Sequence, residues 1–276
     1  MPNGHRGAHP HHPDHAGEPA AAGLPFPFAD RIRRVETGQV FGWLAAGWRD
    51  MRAAGWVSFA YGAVFVALGY AIGVGLAQLD MLYLLTPMIA GFLLVAPLLA
   101  VGLYRISGRL ERGERPRFLD ALFAWRSNTF HILTAGLVLM LFMMIWVRIA
   151  ALIFAVSFPY TNMSGAALVH QLATGEGLVF LAVGTAVGFC FAVAAFVLGA
   201  FALPMMLDRR ADVFAGAVVS AQAVLKSPRA MVLWAAVIVV VTAFGLVTAF
   251  LGLIVALPLI GHATWHAYRD CVEWDD

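Results

Sequence analysis

Apolar residues gather in five long runs, at about 56–78, 82–105, 129–152, 177–203 and 230–268, with polar residues largely confined to the stretches between them. A helix needs about 20 predominantly apolar residues to cross the hydrocarbon core of a bilayer. The first four runs have that length. The fifth is too long for a single crossing at about 1.5 Å of rise per residue, and it divides near Leu246–Gly252 into spans five and six. The pattern predicts an all-α fold: a polytopic membrane helix bundle of six transmembrane helices.

The charges alternate in step with these runs. Bases crowd the N-terminal side (Arg6, Arg31, Arg33, Arg34, Arg49, Arg52), the second connection (Arg105, Arg109, Arg112, Arg115, Arg117, Arg126), the fourth (Arg209, Arg210, Lys226, Arg229) and the C-terminal end (Arg269). The connections near 78–81, 153–176 and 246–252 carry none. Cytoplasmic loops are the ones enriched in Lys and Arg, so both termini are expected in the cytoplasm. Arg269 supports the division of the last run, because a single span there would leave it outside.

Short amphipathic stretches precede spans one, three and five. Phe41, Leu44, Trp48 and Met51 recur at helical spacing beside Arg49 and Arg52; Phe118, Leu122 and Trp125 do so beside Arg117 and Arg126; Phe214, Ala217, Ala221 and Leu225 end in Lys226. Helices of this kind lie in the membrane interface. The unit of interfacial helix plus two spans therefore occurs three times, each starting and ending on the same side, which predicts three parallel repeats.

Glycines punctuate spans one and four at steps that keep small residues on one helix face, where backbones approach closely. A contact between these spans through Gly69, Gly73, Gly184 and Gly188 is expected, although each seam could equally face another helix. Pro87, Pro97, Pro204 and Pro258 all fall in even-numbered spans, where each removes a helical hydrogen bond and introduces a kink.

Composition changes the picture only at the ends. Residues 1–34 form a His/Pro/Gly-rich segment, with His5, His9, His11, His12 and His15, that offers little apolar surface and reads as a disordered cytoplasmic tail. Such a tract can hold a metal loosely, but a solvated tail accounts for it. The six-span domain occupies 35–272, and 273–276 is a short acidic C-terminus. No apolar core of a cleavable signal peptide precedes the first span. One Lys against seventeen Arg, with abundant Ala and Gly, fits a GC-rich bacterial genome. Cys190 and Cys271 lie inside and beyond apolar runs and form no disulfide or thiolate pattern.

Candidate chemistry is sparse. His262 and His266 are four apart and share a helix face. With His131 from span three they are the metal candidates, but the acid that commonly completes such a motif is missing. The favoured reading is hydrogen-bonded histidines at a helix end, with no metal and no cofactor. Arg148 is the one base inside an apolar run, and an intramembrane charge marks a functional position by default. It lies about 25 Å along the helix from His131, near the outer boundary, where it can snorkel or pair with Glu176 or Asp80. No catalytic residues, phosphate-cradling loop or buried carboxylate pair is present. Asp208 and Asp212, beside Arg209 and Arg210, read as a solvated cluster. The basic stretches suit anionic headgroups on the cytoplasmic side, not nucleic acid.

Two stretches carry a resemblance: Gly47-Trp48-Arg49-Asp50, and the run from Gly261-His262-Ala263 through Thr264-Trp265-His266-Ala267 to Tyr268-Arg269-Asp270. Together with Pro204, Asp208, Arg209 and Asp212, they resemble domain-of-unknown-function family 2189, predicted bacterial integral membrane proteins, over about 35–272. The resemblance implies a multi-span helical fold in the inner membrane and no established activity. The functional expectation is a non-enzymatic membrane protein with an assembly or interaction role and a membrane-protein partner. A transporter or channel-like protein for a small or lipidic substrate, and a haem- or metal-binding membrane protein, are the alternatives.

Overall fold

The computed structural model describes residues 28–81, 89, 96–158 and 174–274. Among these the chain is helical almost throughout, with one isolated antiparallel bridge between Ile32 and Val272.

Helix α1 (Thr37–Ala54) opens in a capping box, in which the Glu36 amide donates to Gln39 Oε1 at 2.7 Å. It ends at Gly55, whose φ of 59° only glycine adopts readily, and the chain turns there into α2 (Trp56–Gln78). That helix closes with two reversed hydrogen bonds, Met81 N to Leu76 O at 2.8 Å and Asp80 N to Ala77 O at 3.3 Å, with Asp80 left-handed at φ 55°. The chain re-enters at α3 (Val101–Glu111), followed by the short α4 (Phe118–Leu122) and a 3₁₀ turn, Ala124–Asn128. Next come α5 (Thr129–Ser157), α6 (Gly175–Gly199), α7 (Ala202–Arg209), α8 (Val213–Lys226), α9 (Pro228–Val247) and α10 (Leu253–Cys271).

Among the described residues, four helical stretches are long and apolar enough to cross a membrane: Trp56–Gln78, Ala124–Ser157, Gly175–Arg209 and Pro228–Val247. Spans one, three, four and five of the sequence pattern fall on these. Most of the expected span two, with Pro87, lies outside the described residues. The expected division of the last run is present, since α9 stops at Val247 and α10 starts at Leu253. Thr248 makes the turn: its hydroxyl donates to Gly245 O at 2.9 Å and accepts from Gly252 N at 2.9 Å. Ala249 and Phe250 are both left-handed there, and the Tyr70 hydroxyl of α2 donates to the Ala249 carbonyl.

The prolines explain two features of the interior. Pro204 has no N–H for the carbonyl of Ala200, and the helix breaks between α6 and α7. Ser220 of α8 bridges the break, accepting from Phe201 N at 3.2 Å and donating to Val197 O at 2.9 Å. Pro258 likewise leaves the carbonyl of Ile254 without a helical donor. Gly62 of α2 packs against that carbonyl so closely that a Cβ would stand 2.7 Å from it.

One end of the bundle, here termed the basic end, carries the Arg-bearing connections. At its centre α3, α7 and α10 pack against one another. Their inward residues, such as Leu103, Ile106, Met205, Met206, Ala263 and Tyr268, are buried. Around them, α1 lies on α10, α4 and the 3₁₀ turn lie on α3, and α8 lies on α6 and α7. They are the helical stretches that the sequence pattern set before spans one, three and five. The stripes read from sequence turn largely outward: Phe41, Trp48, Phe214 and Leu225 are exposed. Met51, the last of the α1 stripe, faces in, together with Val40, Trp43 and Gly47 on α1 and with Gly216, Val219, Ser220 and Ala223 on α8. Gly47 and Gly216 let the helix backbones close on the core, while Trp43 fills it against Trp234.

Within 28–34, assigned by composition to the tail, the backbone around Ile32 is tied to the C-terminal end. Ile32 and Val35 are buried, Arg33 N donates to Cys271 O at 2.8 Å, and Glu273 N donates to Arg31 O at 2.9 Å. Arg33 also pairs with Glu273. The histidines of the N-terminal segment lie outside the described residues.

Candidate functional site

The two recognisable stretches of the sequence are the two sides of one helix contact. Gly47 of α1 sits against α10 so tightly that a Cβ would lie 2.7 Å from Ala263 N. Around this contact, polar side chains pair across the interface. His266 Nε2 and Asp50 Oδ2 are 2.8 Å apart, and Trp43 Nε1 donates to Asp270 Oδ2 at 2.7 Å.

His262, one turn before His266, is fully buried in the core. Its Nε2 lies 2.8 Å from Ser58 Oγ on α2, and its Nδ1 lies 2.8 Å from Ser107 Oγ on α3. Whether each ring nitrogen donates or accepts follows from the tautomer of the ring. Burial of Asp50 works to raise its carboxyl. The hydrogen bonds from His266 and Ser107, with the nearby imidazoles, outweigh it and hold the group below its ordinary value.

A second set of contacts continues around the basic end of α10. Glu111 of α3 accepts from Trp265 Nε1 and from Arg269 Nε, each at 3.2 Å. Tyr268 donates to Asp208 Oδ2 at 3.0 Å and accepts from Trp274 Nε1 at 2.9 Å. Asp208 is therefore part of a cross-helix contact, and Asp212 is the N-cap of α8, accepting from Ala215 N at 2.8 Å. Asp212 is exposed, as the solvated cluster read from sequence expected, whereas Asp208 is partly buried and paired with Arg209. The Asp-x-x pattern before an apolar helix was the signal for the cap; the role of Asp208 depends on Tyr268, 60 residues away.

Of the expected metal candidates, His262 and His266 occupy neighbouring turns but bond to different helices. His131 stands on α5 in edge contact with Phe130 at 5.1 Å between centroids. Among the described residues no group of three or more His, Cys, Asp or Glu is placed to hold a metal ion. Arg148 is exposed on the far half of α5, Glu176 is exposed in the first turn of α6, and Asp80 is exposed in the turn after α2. No ion pair joins Arg148 to Asp80 among the described residues.

The expected glycine seam is not formed among the described residues. A Cβ at Gly69, Gly73 or Gly184 would meet nothing within 4 Å, and Gly188 faces Trp146 of α5, whose Cη2 would be 3.2 Å away. Span one instead uses Gly62, against α10. Equal spacing of small residues identifies a permissive face but not the helix that fills it. Sequence reasoning missed Ser58 and Ser107, because a lone serine in an apolar run signals nothing without its partner. Asp50 and Asp270 did stand in the recognisable stretches.

Several long apolar helices around a polar, internally paired end define an integral membrane protein. Residues 85–208 match the model of a family described as predicted integral membrane protein (DUF2189), in line with the resemblance seen in the sequence. The match includes Pro204 and Asp208, whereas Gly47–Asp50 and Gly261–Asp270 lie outside it. No curated protein and no solved structure matches the chain.

Proposed function

We propose that the protein is a non-enzymatic component of a bacterial inner membrane that crosses six times, keeps both termini in the cytoplasm and docks another membrane protein. The pairing of α5 with α6 carries this reading. The two helices pack on each other through Phe142, Trp146 and Phe191, with ring centroids 4.9 Å and 5.5 Å apart. Farther out, Phe154 and Phe180 meet at 5.9 Å. The rest of α6 offers Phe189 and Val193 at the surface, with the small, exposed Ala182 and Ala186 on the same helix face. Small residues next to exposed apolar ones suit a second helix, since helix association in lipid rests on close van der Waals packing.

A structural role for the basic end is supported by its self-sufficiency. His262, His266, Asp50, Glu111, Asp208 and Asp270 each bond a side chain of the same chain. An even number of crossings is supported by the bridge between Ile32 and Val272, which holds both described ends together. Photo-cross-linking from Phe189 and Val193 in native membranes tests the docking face. The expected result is one recurrent protein adduct from α6 that is absent when the probe sits at Val232 on α9. Lipid adducts alone at both α6 positions would overturn it.

A further inference from the structure

The junction of α1, α2 and α4 presents an outward ledge at the basic end. Trp56, the first residue of an apolar membrane helix, is 69% exposed, and its ring stacks on Phe118 with centroids 6.1 Å apart and planes at 27°. Leu119 beside them is 63% exposed. A Trp at the start of a membrane helix belongs at headgroup depth. Two exposed arginines flank the stack: Arg52, four residues before Trp56, and Arg117, directly before Phe118. Arg49 and Trp48 extend the same exposed side of α1 by one turn.

These arginines have no acid partner among the described residues, because the nearby acids are engaged elsewhere. Asp50 bonds His266, Asp120 bonds Arg109, and Glu114 pairs with Arg109 at 3.0 Å and Arg112 at 2.9 Å. The ledge therefore combines an apolar aromatic platform with two guanidinium groups, each able to donate a bidentate pair of hydrogen bonds to phosphate. From this we infer that the ledge is a binding site for one anionic glycerophospholipid. Its phosphate would be held between Arg52 and Arg117, and its glycerol and upper chains would lie against Trp56 and Phe118. The inference rests on the membrane placement of the basic end and is independent of the docking face on α6.

The test uses the purified full-length chain, stripped of lipid in detergent and titrated with phosphatidylglycerol or phosphatidylcholine under native mass spectrometry. Near an anionic group each arginine contributes about a fivefold factor in affinity. Phosphatidylglycerol should bind tighter than phosphatidylcholine, and Arg52→Gln with Arg117→Gln should weaken it about 30-fold. The matched change Arg34→Gln with Arg210→Gln, which removes as much exposed charge elsewhere at the basic end, should leave the affinity within about twofold. Arg52→Lys with Arg117→Lys keeps the charge and should retain preference for phosphatidylglycerol over phosphatidylcholine. Inorganic phosphate alone should not displace the lipid, because it makes no contact with the aromatic platform. Equal affinity for the two lipids, equal losses in the two glutamine pairs, or displacement by phosphate alone would overturn the assignment. If the first glutamine pair unfolds in detergent, loss of the lipid preference in the lysine pair would count against it in the same way.

Discussion

His262 is held on both sides by hydroxyls, and its substitution separates packing from polarity. In His262→Leu, Ser58 and Ser107 each lose a buried partner, and leaving a buried polar group unsatisfied costs about 1–3 kcal/mol. His262→Gln can still donate and accept. Thermal unfolding in detergent should therefore show a large fall in midpoint for the leucine variant and a smaller one for glutamine. Asp50 adds a pH signature. Its carboxyl is held below the ordinary value of 3.8, so its contribution to stability is present above that value and is lost as pH falls through the folded one. Asp50→Asn lacks this contribution. The gap in midpoint between wild type and Asp50→Asn should be open at neutral pH and close as pH drops below 3.8. A gap that stays constant across that range would mean the carboxylate charge contributes nothing.

At the scale of the elements, prolines and glycines act in pairs. Pro258 leaves the Ile254 carbonyl bare, and Gly62 allows α2 to lie on it. Gly62→Ala forces a Cβ to 2.7 Å from that carbonyl; overpacking of this kind costs about 1–3 kcal/mol. Gly69, two turns along the same helix, is open among the described residues. There alanine brings only its better helix propensity, about 1 kcal/mol over glycine. Thermal unfolding should rank Gly69→Ala at or above wild type and Gly62→Ala clearly below it. Both glycines stand in the same run at a regular spacing, and only the position of α10 tells them apart. The positions of α2, α5, α6 and α9 were legible in the sequence, because a long apolar run has one low-energy solution in lipid: a helix that satisfies its own backbone. The inward faces of α1 and α8 were not, because each helix has two apolar stripes and the sequence does not say which one the core will take.

For the whole molecule, α3, α7 and α10 pack together at the centre, and α1, the first helix, rests on α10, the last. That contact brings the Ile32–Val272 bridge to the basic end. Reporter fusions after Glu114 and Asp212 should score cytoplasmic, and fusions after Asp80 and Thr248 should score periplasmic. A reversed result at Thr248 would remove the return through α10 and with it the even number of crossings.

By itself, the sequence determined the helical class, the place of the described spans, the turn that divides the last run and the clustering of bases on alternate connections. Each of these follows from the affinity of short segments for hydrocarbon or water, which depends on the segment and not on its neighbours. Only the tertiary structure decided that His262 bonds Ser58 and Ser107, that His266 bonds Asp50, that Gly62 and not Gly69 is a contact, and that Trp56 stacks on Phe118. Those outcomes depend on which helices lie side by side. In an apolar solvent that choice is made by close packing and by pairing of the few polar groups across helices, between residues as far apart in the chain as Ser58 and His262.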